Sequence, residues 1–179
     1  MSVLPKATWK DKPFIVIAVN TVSGRVVEIA ILRIQVGRSL DTYHTIVCSD
    51  FPELFPGLME KMDAPVWVGH HTKAALEALR AERLRITEYP TEHMVPQPAA
   101  VCDVAALDAL MFPTTGDRGL SGLAARWRVT DLVQAFEAGA INDAMATALV
   151  FRNMWEKLPD RFGELARMQQ RAAKAMERR

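Results

Sequence analysis

The chain has 179 residues, of which 50% are hydrophobic and 24% charged, as expected for one globular domain with a sizeable core. Its net charge of +1 provides no global basic field that would indicate a nucleic-acid partner. No apolar run approaches the roughly 18 residues of a membrane span, and the N-terminal sequence lacks a secretory signal. We therefore expect a cytoplasmic protein without a membrane partner. Cys48 and Cys102 should be reduced and buried, with a disulfide as the less favoured alternative.

The first part of the chain predicts three strands. Residues 14–19 form a continuous apolar, β-branched run, which is typical of a strand buried on both faces. Residues 26–36 predict a second strand, and the short link containing Gly24 indicates an antiparallel pair. Residues 41–48 are rich in Thr, Tyr, Ile and Val and predict a third strand after a turn near Gly37-Arg38.

The middle of the chain predicts alternating helices and strands. The segment 51–62 indicates a short helix interrupted by Pro56, and residues 65–68 a short strand. Residues 72–84 predict a helix because leucines recur at helical spacing. These leucines are Leu76, Leu79 and Leu84.

The remainder predicts a proline-rich loop at 87–100, a strand at 101–103 and several helices. The helices are expected at 104–111, 119–128 and 142–157. Strands followed by alternating strands and helices predict an α/β arrangement around one mixed sheet. We divide the chain into a domain at 1–158 and a C-terminal helical tail at 159–179.

Three segments, in their order and spacing, resemble the sequence blocks of the DEDDh (DnaQ-like) 3′-5′ exonucleases. They are the strand FIVIAVNT (14–21), the segment GHHTKAALEAL (69–79) and the helix start AGAINDA (138–144). The resemblance covers residues 13–157. It implies an RNase H-like fold, in which a mixed five-stranded sheet is flanked by helices.

Enzymes of this family hold two divalent metals with four carboxylates and use a histidine base. Of the five positions that match the four carboxylates and the histidine base, only Asp143 keeps the family's residue. Residues 13–27 contain no Asp or Glu, whichever alignment register is chosen. Alternation along the strand places residues 18 and 20 on one face, where the family directs two carboxylates at the metals. The matching positions are occupied by Ala18, Asn20, Ala75, Ala138 and Asp143.

The resemblance thus implies a domain that has lost its catalytic chemistry. One Asp and one Asn cannot balance about four positive charges of two Mg²⁺ ions, and position 138 offers no base. We expect neither exonuclease turnover nor a cofactor. A metal-dependent exonuclease with a rearranged site stays an alternative, in which Asp103, Asp143 and a histidine would hold Mg²⁺ or Mn²⁺.

Simpler interpretations apply to several of these residues. Asp143 at a helix start is interpreted as a helix cap, an ion-pair partner or a relic in preference to a metal ligand. His70 is expected to bond backbone groups, and His71 to lie on the surface. Glu28 is a buried-looking glutamate on the second strand, and Trp9 is expected to pack as an N-terminal anchor.

The function that we expect is a binding or scaffolding subunit with a protein partner, in a nucleic-acid-processing complex. Self-association stays open. Residues 160–179 carry six basic and three acidic side chains, and acidic residues interrupt the basic face, which favours packing or protein docking over nucleic acid. The alternative is a nucleic-acid-binding module that uses the cleft in which the family holds its metals, together with the basic tail. Its binding residues would be Asn20, Thr21, His70, His71, Arg171 and Lys174.

Overall fold

A computed structural model describes residues 8–35, 41–46, 51–85, 96–114, 116–133 and 138–177. The strands are β1 (Phe14–Val22), β2 (Arg25–Ile34), β3 (Asp41–Ile46), β4 (Val66–Gly69) and β5 (Ala100–Asp103). The α-helices are α1 (Phe51–Lys61), α2 (Thr72–Arg85), α3 (Val104–Met111), α4 (Leu120–Arg126), α5 (Thr130–Val133), α6 (Ala140–Met154) and α7 (Phe162–Glu177). Two 3₁₀ turns complete them, at Trp9–Asp11 and Trp155–Lys157.

The strands form one mixed five-stranded sheet in the order β3-β2-β1-β4-β5. β1 pairs antiparallel with β2, and β2 with β3, as the short link at Gly24 predicted. β4 runs parallel to β1, and β5 runs parallel to β4. The expected α/β architecture, with helices flanking a mixed sheet and a helix at the C-terminal end, is confirmed.

Each face of the sheet carries its own apolar cluster, because successive side chains of a strand point to opposite faces. On one face, Val16 and Leu32 pack with residues of α3, α4, α6 and α7. On the other face, Ile15 and Ile31 pack with residues of α1 and α2, including Phe55. The sheet is therefore covered on both sides, which explains the uninterrupted apolar sequence of β1.

Two helix predictions were wrong in detail. Helix α1 continues through Pro56, although proline removes one backbone hydrogen bond. Its neighbours Phe55 and Leu58 are buried and hold the helix against the sheet. In α2, Leu84 is 81% exposed, because Glu82 takes the buried position three residues after Leu79.

Smaller differences concern the ends of elements. Helix α5 was not predicted, and α6 begins at Ala140 rather than at residue 142. Some predictions lie outside the described residues, namely the turn at Gly37-Arg38, Cys48, Arg178, Arg179 and most of the loop at 87–100. Among the described residues, no helix is long and apolar enough to cross a bilayer.

Both ends of the described chain pack into the core. Helix α7 lies against α3 and β5, with Leu165 and Ala172 fully buried. Trp9 is also fully buried, with ring contacts to Phe151 and Trp155. The anchor expected of Trp9 is therefore present, and the packing of α7 along the β5 edge agrees with the packed-helix interpretation of the tail.

Candidate functional site: a cleft at the end of β1

A cleft of about 610 Å³ opens where the carboxyl ends of β1 and β4 meet helices α2 and α6. In open α/β sheets such a position is where ligands bind, because the connections leave a crevice beyond the strand ends. The lining is polar where β1 and β4 end and alanine-rich along α2. Its residues are Ala18, Val19, Asn20, Thr21, Gly24, His70, His71, Ala74, Ala75, Glu77, Ala78, Ala81, Leu120, Asp143 and Thr147.

The cleft brings together four of the five positions matched to the exonuclease blocks, namely 18, 20, 75 and 143. These positions come from three different elements, β1, α2 and α6, so their convergence is a property of the fold. Ala138 is exposed and is not among the residues that line the cleft. Of the four matched side chains, only that of Asp143 carries a carboxylate.

Glu28 joins four elements beside this cleft. Its carboxylate accepts a hydrogen bond from Asn20 Nδ2 at 2.8 Å and one from the backbone N–H of Ala140 at 2.8 Å. It also pairs with His44 Nε2 at 2.7 Å, which links β3 to β2. Glu28 thereby satisfies the first N–H of α6 and places a negative charge at the positive end of that helix.

This arrangement corrects the interpretation of Asp143 as a helix cap. The N-cap position of α6 is Gly139, with φ of +148°. Glycine has no side chain that could cap the helix, so the N-cap residue makes no capping hydrogen bond of its own. A Cβ atom at Gly139 would lie 3.1 Å from Glu28 Oε1, so glycine allows the carboxylate to approach. Asp143 lies in the first turn of α6, and within the described ranges it makes no ion pair.

The role of Glu28 was only partly visible in the sequence, which marked it as a buried-looking glutamate. Its partners lie 8, 16 and 112 residues away along the chain, at Asn20, His44 and Ala140. His44 was missed altogether. The pairing register of β2 with β3, in which Ala30 faces His44, is the signal that would have placed it near Glu28.

We expect Glu28→Gln to lower the free energy of unfolding at pH 7 by about 1–2 kcal/mol, since it removes the charge that caps α6. Burial raises the pKa of Glu28, but hydrogen bonds from Ala140, His44 and Asn20 and the charge of His44 bring the pKa below its ordinary 4.5. The contribution of the carboxylate is thus fully present above pH 4.5 and is lost as the pH falls through the lowered pKa.

Urea unfolding of wild type and Glu28→Gln at several pH values between 7 and 3 measures this effect. The difference between the two proteins should shrink below pH 4.5. The matched control is Glu60→Gln, at an exposed position on α1, which should differ from wild type by less than about 0.5 kcal/mol at every pH. A difference for Glu28→Gln that stays constant down to pH 3 would contradict the assigned role.

The two histidines of the cleft differ in their surroundings. His70 Nε2 lies 2.9 Å from the backbone carbonyl of Arg118, and since a carbonyl only accepts, Nε2 carries the proton. Burial lowers the pKa of His70 below its ordinary 6.5, and the bond to Arg118 opposes this only in part. His71 is exposed and has a φ of +55°. These placements match the backbone-bonding and surface interpretations of the two residues.

Asp143 is exposed at the mouth of the cleft, yet its environment penalises the charged form. Burial raises the pKa of its carboxyl, the charge of His70 opposes this, and the nearby carboxylate of Glu28 adds to the rise. The charges of Asp143 and Glu28 therefore repel each other.

The residues present do not fit a divalent metal. Asp103 accepts hydrogen bonds from the backbone N–H groups of Ala105 and Ala106 and from that of Thr72, so it caps α3 and ties β5 to α2. Asp108 is fully buried and bonds other side chains. Across the part of the chain that the structure describes, no three His, Cys, Asp or Glu side chains form a group able to hold a metal ion.

The predicted nucleic-acid residues divide between two places. Asn20, Thr21, His70 and His71 line the cleft together. Arg171 and Lys174 lie on α7 and line a separate depression with Arg167 and Gln170. Within the described ranges, no Lys or Arg lines the cleft.

Comparison with known proteins supports the fold. The chain is similar to a solved structure described as exonuclease X in complex with 5′ overhanging duplex DNA, with a TM-score of 0.58 and 12% sequence identity. The alignment covers 87% of this chain and 99% of the other. The chain thus has an exonuclease-like fold. No protein-family model matches the sequence, and no curated protein matches it.

Proposed function

We propose that this protein is a catalytically inactive exonuclease-fold domain that serves as a binding or scaffolding subunit. One observation carries the proposal. Four positions matched to the exonuclease blocks converge in one cleft, and three of them, Ala18, Asn20 and Ala75, lack the carboxylate that the chemistry needs.

The metal requirement is the main argument against turnover. Two-metal hydrolysis uses one ion to generate hydroxide and the other to stabilise the leaving oxygen. Mg²⁺ ions are hard and bind through carboxylates, waters and phosphates. Among the described residues that line the cleft, only Glu77 and Asp143 carry carboxylates. Glu28 beside the cleft already accepts hydrogen bonds from Asn20 and Ala140 and pairs with His44.

The cleft also lacks the positive charge that a nucleic-acid backbone attracts. Phosphate contacts come mostly from Lys and Arg and supply most of the nonspecific affinity. The residues described by the structure that line the cleft include Glu77 and Asp143 but no Lys or Arg. This favours a protein partner over the alternative of a nucleic-acid-binding module. The likeness to a structure solved with DNA motivates the further proposal that the partner belongs to a nucleic-acid-processing complex.

The test is a nuclease assay with Mg²⁺ and with Mn²⁺ on labelled single-stranded DNA and RNA, combined with calorimetric titration of Mn²⁺. Wild type should degrade neither substrate above a buffer control and should show no saturable binding at millimolar Mn²⁺. A variant that combines Ala18→Asp, Asn20→Glu and Ala75→Asp should bind Mn²⁺, since it restores three carboxylates around Asp143.

The matched control combines Ala18→Asn with Ala75→Asn, which adds similar side-chain volume without charge, and it should not bind the metal. Metal-dependent degradation by wild type that disappears in Asp143→Ala would overturn the proposal in favour of a rearranged nuclease. Degradation that Asp143→Ala leaves unchanged would come from a contaminant, and repurification should remove it.

A further inference from the structure

A second concave surface, formed by the C-terminal helix α7 and the residues before it, has the features of a binding groove. We name it the C-terminal groove. It is a depression of about 470 Å³ between α7 and the segment that precedes it. Its lining residues are Lys157, Leu158, Pro159, Glu164, Arg167, Met168 and Arg171.

The groove combines an apolar floor with a basic rim. Leu158 is buried, and Pro159 and Met168 are half-buried, so apolar atoms remain accessible at the bottom. Arg167 and Arg171 are exposed beside them. An apolar floor with adjacent guanidinium groups fits a ligand that has an apolar side chain next to carboxylates.

The basic rim continues along α7. Arg167, Arg171 and Lys174 follow one another at spacings of four and three residues, which places them on one face of the helix. All three are exposed, and within the described ranges none of them forms an ion pair with a carboxylate. Arg167 and Lys174 are about 10 Å apart along the helix axis, the length of a short peptide segment.

The wall opposite α7 is held in place by the N-terminal anchor. Trp9 Nε1 donates a hydrogen bond to the carbonyl of Pro159 at 2.6 Å, and the backbone N–H of Trp9 donates to Asp160 O at 3.2 Å. Lys10 Nζ donates to the carbonyl of Leu158 at 3.0 Å and pairs with Asp160 at 2.7 Å. A wall fixed in this way loses little conformational freedom when a ligand binds.

We infer that the C-terminal groove binds an acidic segment of a partner protein, which places an apolar side chain on Pro159 and Met168 and its carboxylates on Arg167, Arg171 and Lys174. The inference names a docking surface for the scaffolding role, and it rests on that proposed function. Carboxylates form paired hydrogen bonds with arginine, so the match is geometric as well as electrostatic.

A nucleic-acid strand fits this surface less well. As far as the structure describes the chain, the lining contains no aromatic ring on which a base could stack. Three cations would also neutralise only about three phosphates, which gives weak binding at physiological salt.

The test begins with selection of random 16-residue peptides displayed on phage, against the full chain. Enriched peptides are synthesised with a fluorescent label, and their affinity is measured by fluorescence polarisation. We expect sequences rich in Asp and Glu around an aliphatic or aromatic residue, with affinity that weakens as NaCl is raised. The double substitution Arg167→Glu/Arg171→Glu should weaken binding at least tenfold.

The matched control is Lys73→Glu/Arg80→Glu, which makes the same change in net charge at exposed positions on α2 and should leave the affinity unchanged. Circular dichroism of both variants establishes that the fold is intact.

Failure to enrich acidic peptides, or binding that Arg167→Glu/Arg171→Glu leaves unchanged, would overturn the inference. Tight binding of a single-stranded oligonucleotide that this double substitution abolishes would also overturn it and assign the groove to nucleic acid. Each of these results leaves the conclusion on catalytic inactivity intact, since that conclusion depends only on the nuclease and metal assays.

Discussion

Asp108→Ala is expected to lower the free energy of unfolding by about 3–5 kcal/mol, because it removes the carboxylate that balances the charge of two largely buried guanidinium groups. Asp108 is fully buried, and its carboxylate accepts hydrogen bonds from Arg118, from Arg126 Nε at 3.0 Å and from Trp127 Nε1 at 2.9 Å. Arg118 and Arg126 have side chains that are only 14% and 16% exposed, so water can replace the carboxylate only in part. Asp108 therefore ties α3 to α4 and to the segment between them.

Urea unfolding monitored by circular dichroism and tryptophan fluorescence measures this loss. The matched control is Asp63→Ala, an exposed aspartate before β4, which should change the free energy of unfolding by less than about 0.5 kcal/mol. If Asp108→Ala were as stable as Asp63→Ala, the ion cluster would contribute nothing net to folding.

Trp9→Ala is expected to cost about 3–5 kcal/mol as well, here because of lost packing. The Trp9 ring is fully buried, with its centroid 4.6 Å from that of Trp155 and 6.0 Å from that of Phe151. Its removal opens a cavity under α6 and also removes the hydrogen bond to Pro159. The segment that forms one wall of the C-terminal groove would lose its support, so the affinity for an acidic peptide should fall together with stability.

Trp9→Phe separates the two contributions, since it keeps an aromatic ring and removes the indole N–H. We expect a loss of about 1–2 kcal/mol for this variant from the unmade hydrogen bond and the smaller ring. Urea unfolding and peptide affinity are measured on both variants. An affinity for the acidic peptide that stays unchanged in Trp9→Ala, under conditions where the variant is folded, would contradict the role of the anchor in shaping the groove.

The sequence predicted the sheet well because its signals are local. The apolar runs of β1 and β2 and the short link at Gly24 specify an antiparallel pair with little dependence on the rest of the chain. The predictions at Pro56 and Leu84 failed for the opposite reason. Helix α1 tolerates Pro56 because its buried face holds it against the sheet. In α2, the hydrogen bonds from Arg25 and Val26 offset the cost of burying the charged Glu82, so Glu82 faces the core and Leu84 faces solvent.

For the candidate site, the sequence specified that β1 contributes no carboxylate, since residues 13–27 contain no Asp or Glu in any register. It could not specify how the remaining groups are used. The bonds of Glu28 to His44 and Ala140 and those of Asp103 to Thr72 and Ala105 join residues from different elements. Such pairings depend on how strands and helices pack, which no local pattern encodes.

By itself, the amino-acid sequence determined the secondary structure of the sheet, the order of the segments that resemble the exonuclease blocks, and the absence of a carboxylate at positions 18, 20 and 75. Only the tertiary structure decided that these positions share one cleft, and that α7 and the Trp9 anchor enclose a second groove. The physical reason is that strands and turns are set by neighbouring residues. A binding surface, by contrast, requires side chains far apart in the chain to be brought together by burial of the core.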